Sequence, residues 1–253
     1  MKSKKTKPKN KLMSRIVTII ALSVFLYAAY GLSDVLIDYY KNRQALSEIQ
    51  DMYYDIDNKE TNNSNEIRSG FDKLLEHNED VVGWITINGT QIDYPILQAE
   101  NNTDYLTKDY NDRVTRAGSI FLDFRNEINA DNKNTVVYGH RMKDGSMFQH
   151  LTKFLDEDFL NSHQTFEYDT LYESYEAEIF SVYNTLTDFN YIQTHFEDEQ
   201  QYEDLLNNMK NKSRFKTNVD VNSDDLIITL STCDYELDEN EGRLVVHAKL
   251  VKK

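Results

Sequence analysis

Cysteine is almost absent from this chain, which contains one, Cys233, among 253 residues. One cysteine cannot form a disulfide within the chain, and a leftover thiol in an exported protein suggests intermolecular pairing or a free reactive group. The alternative is a buried cysteine that packs as a small hydrophobic side chain. The count leaves both interpretations open, so the sequence around Cys233 has to decide between them.

Positive charge is scarce beyond the N-terminus. The formal net charge is −15, yet residues 1–15 carry seven lysines and arginines and no acid, so the remainder carries −22. A body this acidic repels phosphate backbones, which argues against nucleic-acid binding, and its plain interpretation is a solvated surface. Closely spaced cysteine and histidine ligands are also missing, so we expect no metal and no other cofactor. A cation held by the carboxylates of residues 234–238 is a weaker alternative.

A single long hydrophobic run follows the basic segment, at residues 16–33, and no charge interrupts it before Asp34. A run of this length nearly spans a bilayer core of about 30 Å at about 1.5 Å per residue. The basic flank is expected to stay in the cytoplasm, with the chain after about residue 38 outside. A signal peptide cleaved near residues 29–31 is one alternative, but the run is longer than a usual signal core. A buried soluble helix is another, and the upstream cations argue against it.

Apolar spacing divides the rest of the chain into helices and strands. An amphipathic helix over residues 35–56, a polar loop at 57–65 and a second helix ending near His77 are predicted first. The period then changes to two, and the predicted strands lie within residues 84–89, 90–97, 117–124, 134–140, 165–172, 174–185, 226–233 and 243–251. Many short strands separated by turns predict a mainly β barrel or sandwich.

Three local features refine this prediction. Asn88-Gly89 marks a hairpin turn between the first two strands, and Pro95 indicates an edge strand or a bulge in the second. Residues 147–156 are predicted to be helical. A further helix within residues 196–215 has acids at its start, bases at its end and an apolar stripe that is expected to pack on the core, formed by Tyr202, Leu205, Leu206 and Met209.

The lone thiol ends a predicted strand, LIITLSTC, on its more polar face. In the last strand, Leu244, Val246, Ala248 and Leu250 should face the core, and Arg243, Val245, His247 and Lys249 should face away. If the two strands pair through a loop at 234–242, Cys233 and Arg243 lie together at one end of the sheet. The arginine then offers a fork of donors to an oxyanion, or it forms a surface ion pair with Asp238, Glu239 or Glu241.

A thiol needs a proton acceptor or a cation nearby to become a good nucleophile. Of the six histidines in the chain, His140 has the most suitable position, because it also closes a predicted strand, NTVVYGH. A structural role for His140 is the competing interpretation, since an isolated histidine is more often structural than catalytic.

Taken together, these segments resemble the sortase family of cysteine transpeptidases. Residues 229–233, TLSTC, match the T-L-x-T-C signature, Arg243 follows ten residues later, and residues 138–140, YGH, match the histidine strand. The similarity extends through GWITINGTQIDYPILQ, GSIFLD and NTVVYGHRMKDGSMF, and covers roughly residues 70–250. The helix before the signature strand and the N-terminal helices are similar to class B.

The resemblance implies a fold and a domain organisation. It implies a closed eight-stranded β-barrel with N-terminal helices, a helix inserted before the signature strand and a single N-terminal transmembrane helix. The expected segments are a basic cytoplasmic tail at 1–15, a transmembrane anchor at 16–37, external helices and linker at 38–80 and the catalytic barrel at 81–253. The expected location is the membrane of a Gram-positive cell, with the catalytic domain outside.

The resemblance also implies an activity. Cys233, His140 and Arg243 would cleave a C-terminal sorting motif of the type Asn-Pro-x-Thr-Asn/Gly after its threonine, through a thioacyl-enzyme. The acyl group would pass to the amine of a cell-wall precursor resembling lipid II. The main-chain N–H of Asp234 would help to bind the oxyanion. The matching substrate-binding residues are Asn102, Leu106, Tyr138, Ser231 and Thr232, each of which also has an ordinary structural interpretation.

Rival interpretations differ in testable ways. A papain-like protease carries its cysteine near the mature N-terminus with the histidine downstream, whereas here His140 precedes Cys233 by 93 residues. A surface-anchored binding module without activity would not turn over a sorting peptide. A sortase of another class, such as one that joins pilin subunits, would prefer another motif.

Overall fold

The computed structural model describes residues 11–54, 67–128 and 131–253. Residues 1–10, which hold most of the predicted basic tail, and the predicted loop at 57–65 lie outside the described residues. The chain divides into two compact units, Met1–Lys41 and Asn42–Lys253.

The long N-terminal helix α1 runs from Lys11 to Tyr54. It contains an 18-residue window with a mean hydropathy of 2.0, so by length and composition this helix is able to cross a membrane. The predicted anchor and the first predicted amphipathic helix are therefore parts of one continuous helix.

Within the second unit, the last turns of α1 bury one side. Asn42, Ala45 and Ile49 are buried, at the spacing of three and four residues that one helix face requires. The Tyr53 ring stacks on the indole of Trp84, with 4.0 Å between ring centroids, and its hydroxyl donates to Asp169 at 2.7 Å. Because Trp84 is almost fully buried, this stack joins residues 42–54 to the core.

Eight strands form a closed barrel in the order β1-β2-β3-β4-β7-β8-β6-β5. Their bounds are β1 Val81–Thr86, β2 Asp93–Leu97, β3 Ile120–Leu122, β4 Asn134–Tyr138, β5 Thr165–Thr170, β6 Ser174–Thr185, β7 Ile227–Cys233 and β8 Arg243–Lys252. The β2–β3 and β4–β7 pairs are parallel and the other pairs are antiparallel. The predicted mainly β barrel is confirmed.

The first hairpin has the predicted turn, and Pro95 lies in its second strand. Gly89 has a φ of +74°, a backbone conformation that side chains with a Cβ rarely adopt. Pro95 pairs with Trp84 on one side, whereas the parallel ladder to β3 includes only Ile96 and Leu97. The proline lies just before the ladder to β3 begins. Because β2 has a partner on both sides in the closed barrel, the edge-strand prediction is wrong, and the irregularity of the β1–β2 ladder lies in β1, between Val81 and Gly83.

Short helices fill the connections between the strands. They are α2 Asp72–His77, a 3-10 turn at Asp104–Leu106, a 3-10 helix at Phe148–Leu155 and α3 Glu157–Ser162. The predicted helix at residues 147–156 is thus present in the tighter 3-10 form.

The helix before the signature strand, α4 Glu199–Lys212, covers one face of the barrel. Asp198 caps its start by accepting from the N–H of Gln201, and the predicted apolar stripe is buried. The stripe packs on Phe180, Tyr183, Ile227 and Val245. Val245 and His247 face away from the barrel interior, as predicted, but this layer buries them fully, which the sequence did not predict.

Candidate active site

Strand register brings the three predicted catalytic residues together on neighbouring strands. The parallel ladder between β4 and β7 ends with Tyr138 opposite Ser231, so His140 and Cys233 each lie two residues beyond it. On the other side of β7, Cys233 pairs directly with Arg243 of β8. Directly opposed residues have Cβ atoms about 5 Å apart. The register therefore places the three residues at the same end of three neighbouring strands.

The thiol of Cys233 is free and half-buried. Burial raises the pKa of the Tyr235 hydroxyl, the nearby thiol adds to this rise, and Arg243 and Arg141 act in the opposite direction. Burial likewise raises the pKa of Tyr191, with the thiol contributing again. The sulfur is thus close enough to Tyr235 and Tyr191 to influence both hydroxyls.

His140 is oriented by a main-chain oxygen. Its Nε2 lies 2.7 Å from the carbonyl oxygen of Leu106. A carbonyl can only accept, so Nε2 donates, and Nδ1 is the ring nitrogen left to exchange a proton. Sequence reasoning placed the Leu106 side chain in a substrate groove, but it did not find this contact of the Leu106 main chain.

Arg243 uses only part of its guanidinium for the fold. Its Nη1 donates to the carbonyl oxygens of Asn240 at 3.0 Å and Gly242 at 2.8 Å. Among the residues that the structure describes, Nε and Nη2 have no hydrogen-bond partner, and no carboxylate forms an ion pair with this arginine. The alternative of a surface ion pair with Asp238, Glu239 or Glu241 is therefore wrong, and two donor groups remain for a ligand.

The expected oxyanion donor at Asp234 is corrected. Its main-chain N–H donates to the carbonyl oxygen of Gly242 at 2.8 Å and so is already used. The Asp234 side chain is buried and accepts from Arg141 at 3.1 Å and from Asn184 at 2.7 Å. Asp234 thus has structural contacts on both its main chain and its carboxylate.

Two of the predicted substrate-binding residues meet at a buried carboxylate, Asp123. The Tyr138 hydroxyl donates to it at 2.8 Å and the Asn102 amide at 3.0 Å. Burial alone would raise the pKa of Asp123. The hydrogen bonds from Arg125 and Tyr138 outweigh this effect and hold that pKa below its usual range. The anionic Asp123 therefore links β4 to the segment that carries Asn102 and the exposed Leu106 side chain.

Two further predicted substrate-binding residues, Ser231 and Thr232, are buried. Ser231 is 2% exposed, and its hydroxyl lies 3.0 Å from that of Tyr191. Thr232 is also 2% exposed, and its hydroxyl has no partner among the described residues. Because side chains alternate along a strand, Thr232 points to the opposite face from Cys233. A substrate contact by the Thr232 side chain is therefore excluded in this structure, and Ser231 instead supports Tyr191.

Sequence reasoning missed Tyr191 and its supports. The amide of buried Asn134 donates to the carbonyl oxygens of Tyr191 at 3.0 Å and Gln193 at 2.9 Å. Arg125 donates to the carbonyl between them, that of Ile192, at 2.9 Å. Three successive carbonyls of an irregular segment are thus bound by side chains from the barrel. An irregular segment has no periodicity, so the sequence carried no signal for this contact.

Comparisons with known proteins agree with this geometry. A family model described as the sortase domain matches residues 85–251. Sortase B of Listeria monocytogenes is 45% identical over 241 residues, covering 95% of this chain and 98% of that protein. A crystal structure from Bacillus anthracis, described as similar to sortase B, has a TM-score of 0.79 at 49% identity, covering 85% of this chain and 98% of that one.

A Staphylococcus aureus sortase B–substrate complex has a TM-score of 0.79 at 38% identity and covers 85% of this chain and 99% of that chain. The matches therefore extend over nearly the whole of each relative as well as over most of this chain. The chain belongs to the sortase family of cysteine transpeptidases and is most like its class B members.

Proposed function

We propose that Cys233 is the nucleophile that cleaves a C-terminal sorting motif of the type Asn-Pro-x-Thr-Asn/Gly after its threonine. The observation that carries the proposal is the register of three neighbouring strands, with Cys233 opposite Arg243 and His140 at the end of the parallel strand. A relative of this chain, the Staphylococcus aureus sortase B, has been solved as a substrate complex, which supports binding of a substrate by this fold.

The reaction would proceed in two acyl transfers. His140 takes the proton of the Cys233 thiol, the resulting thiolate forms a bond to the threonine carbonyl carbon, the peptide C–N bond breaks, and His140 donates its proton to the leaving amine. An incoming amine then forms a new amide bond, the C–S bond breaks, and His140 takes the proton that the amine releases. The thioester conserves the reactivity of the acyl group until that amine arrives.

Arg243 would stabilise the negative oxygen that develops on the attacked carbonyl. Its Nε and Nη2 supply charged donors, while Nη1 holds the guanidinium in place through two carbonyls. Leu106 and the pair Asn102 and Tyr138 would line the motif-binding surface. Asn102 and Tyr138 do so from positions fixed by Asp123.

The cellular setting would follow from the N-terminal helix. A hydrophobic anchor at residues 16–37, with its basic flank in the cytoplasm, would hold the catalytic domain outside the membrane. Exported substrates and lipid-linked wall precursors are both concentrated there, which raises their effective concentration at the enzyme. The acceptor would be an amine of such a precursor.

The proposal is tested by trapping the acyl-enzyme. Because Cys233 is the only cysteine, a thioester adduct has no other sulfur on which to form. The full chain in detergent is incubated with peptides ending in Asn-Pro-x-Thr-Asn or Leu-Pro-x-Thr-Gly, and its intact mass is measured. We expect the mass of the acyl fragment on the parent chain, and no adduct on Cys233→Ala, with turnover at least about 10³-fold lower.

Two outcomes contradict different parts of the proposal. Cleavage by Cys233→Ala at the parental rate would remove the thiol from the mechanism. A clear preference for the Leu-Pro-x-Thr-Gly peptide in direct competition would leave the chemistry in place and overturn the assigned motif.

A further inference from the structure

The two residues proposed to exchange a proton lie beyond the last pair of the ladder that joins β4 to β7. Pairing between β4 and β7 ends at Tyr138 and Ser231, and the last main-chain bond runs from the Gly139 N–H to the Ser231 oxygen at 3.2 Å. His140 and Cys233 follow this bond. The strand ladder therefore does not fix their separation.

A pair of oppositely charged residues connects the two strands immediately after this point. Arg141 follows His140 and Asp234 follows Cys233, and their Nη1 and Oδ1 atoms lie 3.1 Å apart. The two side chains are 17% and 7% exposed. Water screens such a pair weakly, so its geometry is held more firmly than that of a surface ion pair.

Asp234 is itself fixed by contacts from several directions. Its second carboxylate oxygen accepts from Asn184 of β6 at 2.7 Å. Its N–H donates to the Gly242 oxygen at 2.8 Å, and its carbonyl accepts from the N–H of Asp238 at 3.2 Å. Gly242 packs so closely that a Cβ added to it would lie 2.1 Å from the main-chain oxygen of Asp234. Asp234 therefore offers Arg141 a rigid attachment point.

We propose that the ion pair between Arg141 and Asp234 sets the separation of the His140 imidazole from the Cys233 thiol. Both are positioning residues, since each acts through the catalytic residue that precedes it in the chain. This inference rests on the proposed roles of His140 and Cys233. Rates of proton and acyl transfer depend steeply on such separations, and a misplacement of about 1 Å can reduce a rate by about 100-fold.

The structure supplies a matched control on the same arginine. Arg141 also contacts Glu236, with Nη2 and Oε1 2.9 Å apart, but the Glu236 side chain is 83% exposed. The two carboxylates share one guanidinium, but Asp234 is buried and also accepts from Asn184, whereas Glu236 is exposed. If the ion pair acts by positioning, the loss of charge at Asp234 lowers the rate and the same loss at Glu236 does not.

The test compares Arg141→Gln, Asp234→Asn, their double variant and Glu236→Gln in the full chain in detergent, with a sorting peptide as substrate. Asparagine offers one acceptor oxygen where Asp234 receives donors on both, so at least one contact is lost. We expect Arg141→Gln and Asp234→Asn each to lower kcat by about 10- to 100-fold with KM within about twofold. The double variant should match the worse single variant, and Glu236→Gln should stay within about twofold of the parent.

The pH dependence of Cys233 alkylation by iodoacetamide separates positioning from a general loss of structure. We expect the Arg141 and Asp234 variants to shift this profile, because the imidazole no longer interacts with the sulfur at its parental distance. A loss of structure away from His140 and Cys233 would leave the pH dependence of Cys233 alkylation unchanged. If Asp234→Asn does not fold, Arg141→Lys serves as the test variant. Lysine keeps the positive charge but lacks the several N–H donors of the guanidinium, so we expect a kcat between those of the parent and Arg141→Gln.

Each remaining outcome has a definite meaning. Absence of turnover that depends on Cys233 in the parent chain would refute the proposed function itself. Parental kcat in Arg141→Gln, Asp234→Asn or Arg141→Lys would overturn the inference alone. The inference would also be overturned if the two single losses of kcat multiplied in the double variant. It would equally be overturned if the variants raised KM and left kcat unchanged.

Discussion

At the scale of a single side chain, burial keeps His247 uncharged. Its imidazole is fully buried, and burial lowers its pKa from 6.5 to about 3. The Thr229 hydroxyl donates to Asn134, so it accepts from Nδ1–H of His247, and Nε2 accepts from the Tyr183 hydroxyl. The neutral ring therefore satisfies both nitrogens, and a second ring proton would replace the hydrogen bond that Nε2 accepts from the Tyr183 hydroxyl.

This burial makes stability depend on pH in a known direction. Between about pH 6.5 and pH 3 the unfolded chain binds a proton at His247 that the folded chain does not, so acidification destabilises the fold. Above about pH 6.5 the residue contributes no pH dependence. The parent should lose about 1 kcal/mol more per pH unit than His247→Gln below about pH 6, measured by urea unfolding.

His195 provides the control for this prediction, because it is exposed. Replacing His195 with glutamine should leave the slope of stability against pH unchanged. If unfolding free energy depended on pH in the same way for the parent and His247→Gln, the folded protein would protonate His247 without penalty. That result would refute the buried neutral state.

At the scale of strands and helices, alternation along the chain predicted much of the site. The side-chain alternation in residues 226–233 and 243–251 was sufficient to predict that Cys233 and Arg243 lie side by side, as their register confirms. Alternation reports which face a residue occupies, and antiparallel neighbours joined by one short loop leave little choice of partner.

The parts that the sequence did not predict depend on contacts between distant segments. Burial of Val245 and His247 requires α4 and the segment around Tyr191 to cover the strand, and no property of the strand itself indicates such a cover. The N–H of Asp234 was assigned to an oxyanion from the family resemblance, whereas in the structure it donates to the carbonyl oxygen of Gly242. Hydrogen bonds of irregular segments have no period, so a single sequence does not reveal them.

Asn134 connects the irregular segment at 191–193 to the barrel, and this gives a prediction at the scale of that element. Its side chain is fully buried, donates to two carbonyls and accepts from Thr229 at 2.7 Å. Asn134→Asp replaces the two donors with an acceptor facing both carbonyls. We expect a loss of about 2–3 kcal/mol in unfolding free energy and faster amide exchange at residues 191–193.

Asn190→Asp is the control for Asn134→Asp, because Asn190 is exposed in the same segment. It makes the same chemical change without placing a carboxylate against buried carbonyls. Equal stability and equal exchange in the two variants would show that the Asn134 contacts do not hold the segment.

At the scale of the whole molecule, one helix contributes to two compact units. Residues 42–54 of α1 belong to the unit that contains the barrel, where Ile49 is buried and Tyr53 stacks on Trp84. The side chains of residues 16–33 are mostly exposed and apolar. The composition of the helix thus changes near the boundary between the units.

The proposed anchor predicts how two forms of the chain behave. The full chain should remain with membranes after an alkaline wash, whereas a chain beginning at Asn42 should be soluble. Both should cleave a soluble sorting peptide with kcat/KM within about twofold, since the unit that begins at Asn42 contains His140, Cys233 and Arg243. Protease added to whole cells should digest the barrel unit. Recovery from the medium of a chain cut near residues 29–31 would instead establish the cleaved signal peptide, and an anchor would then be excluded.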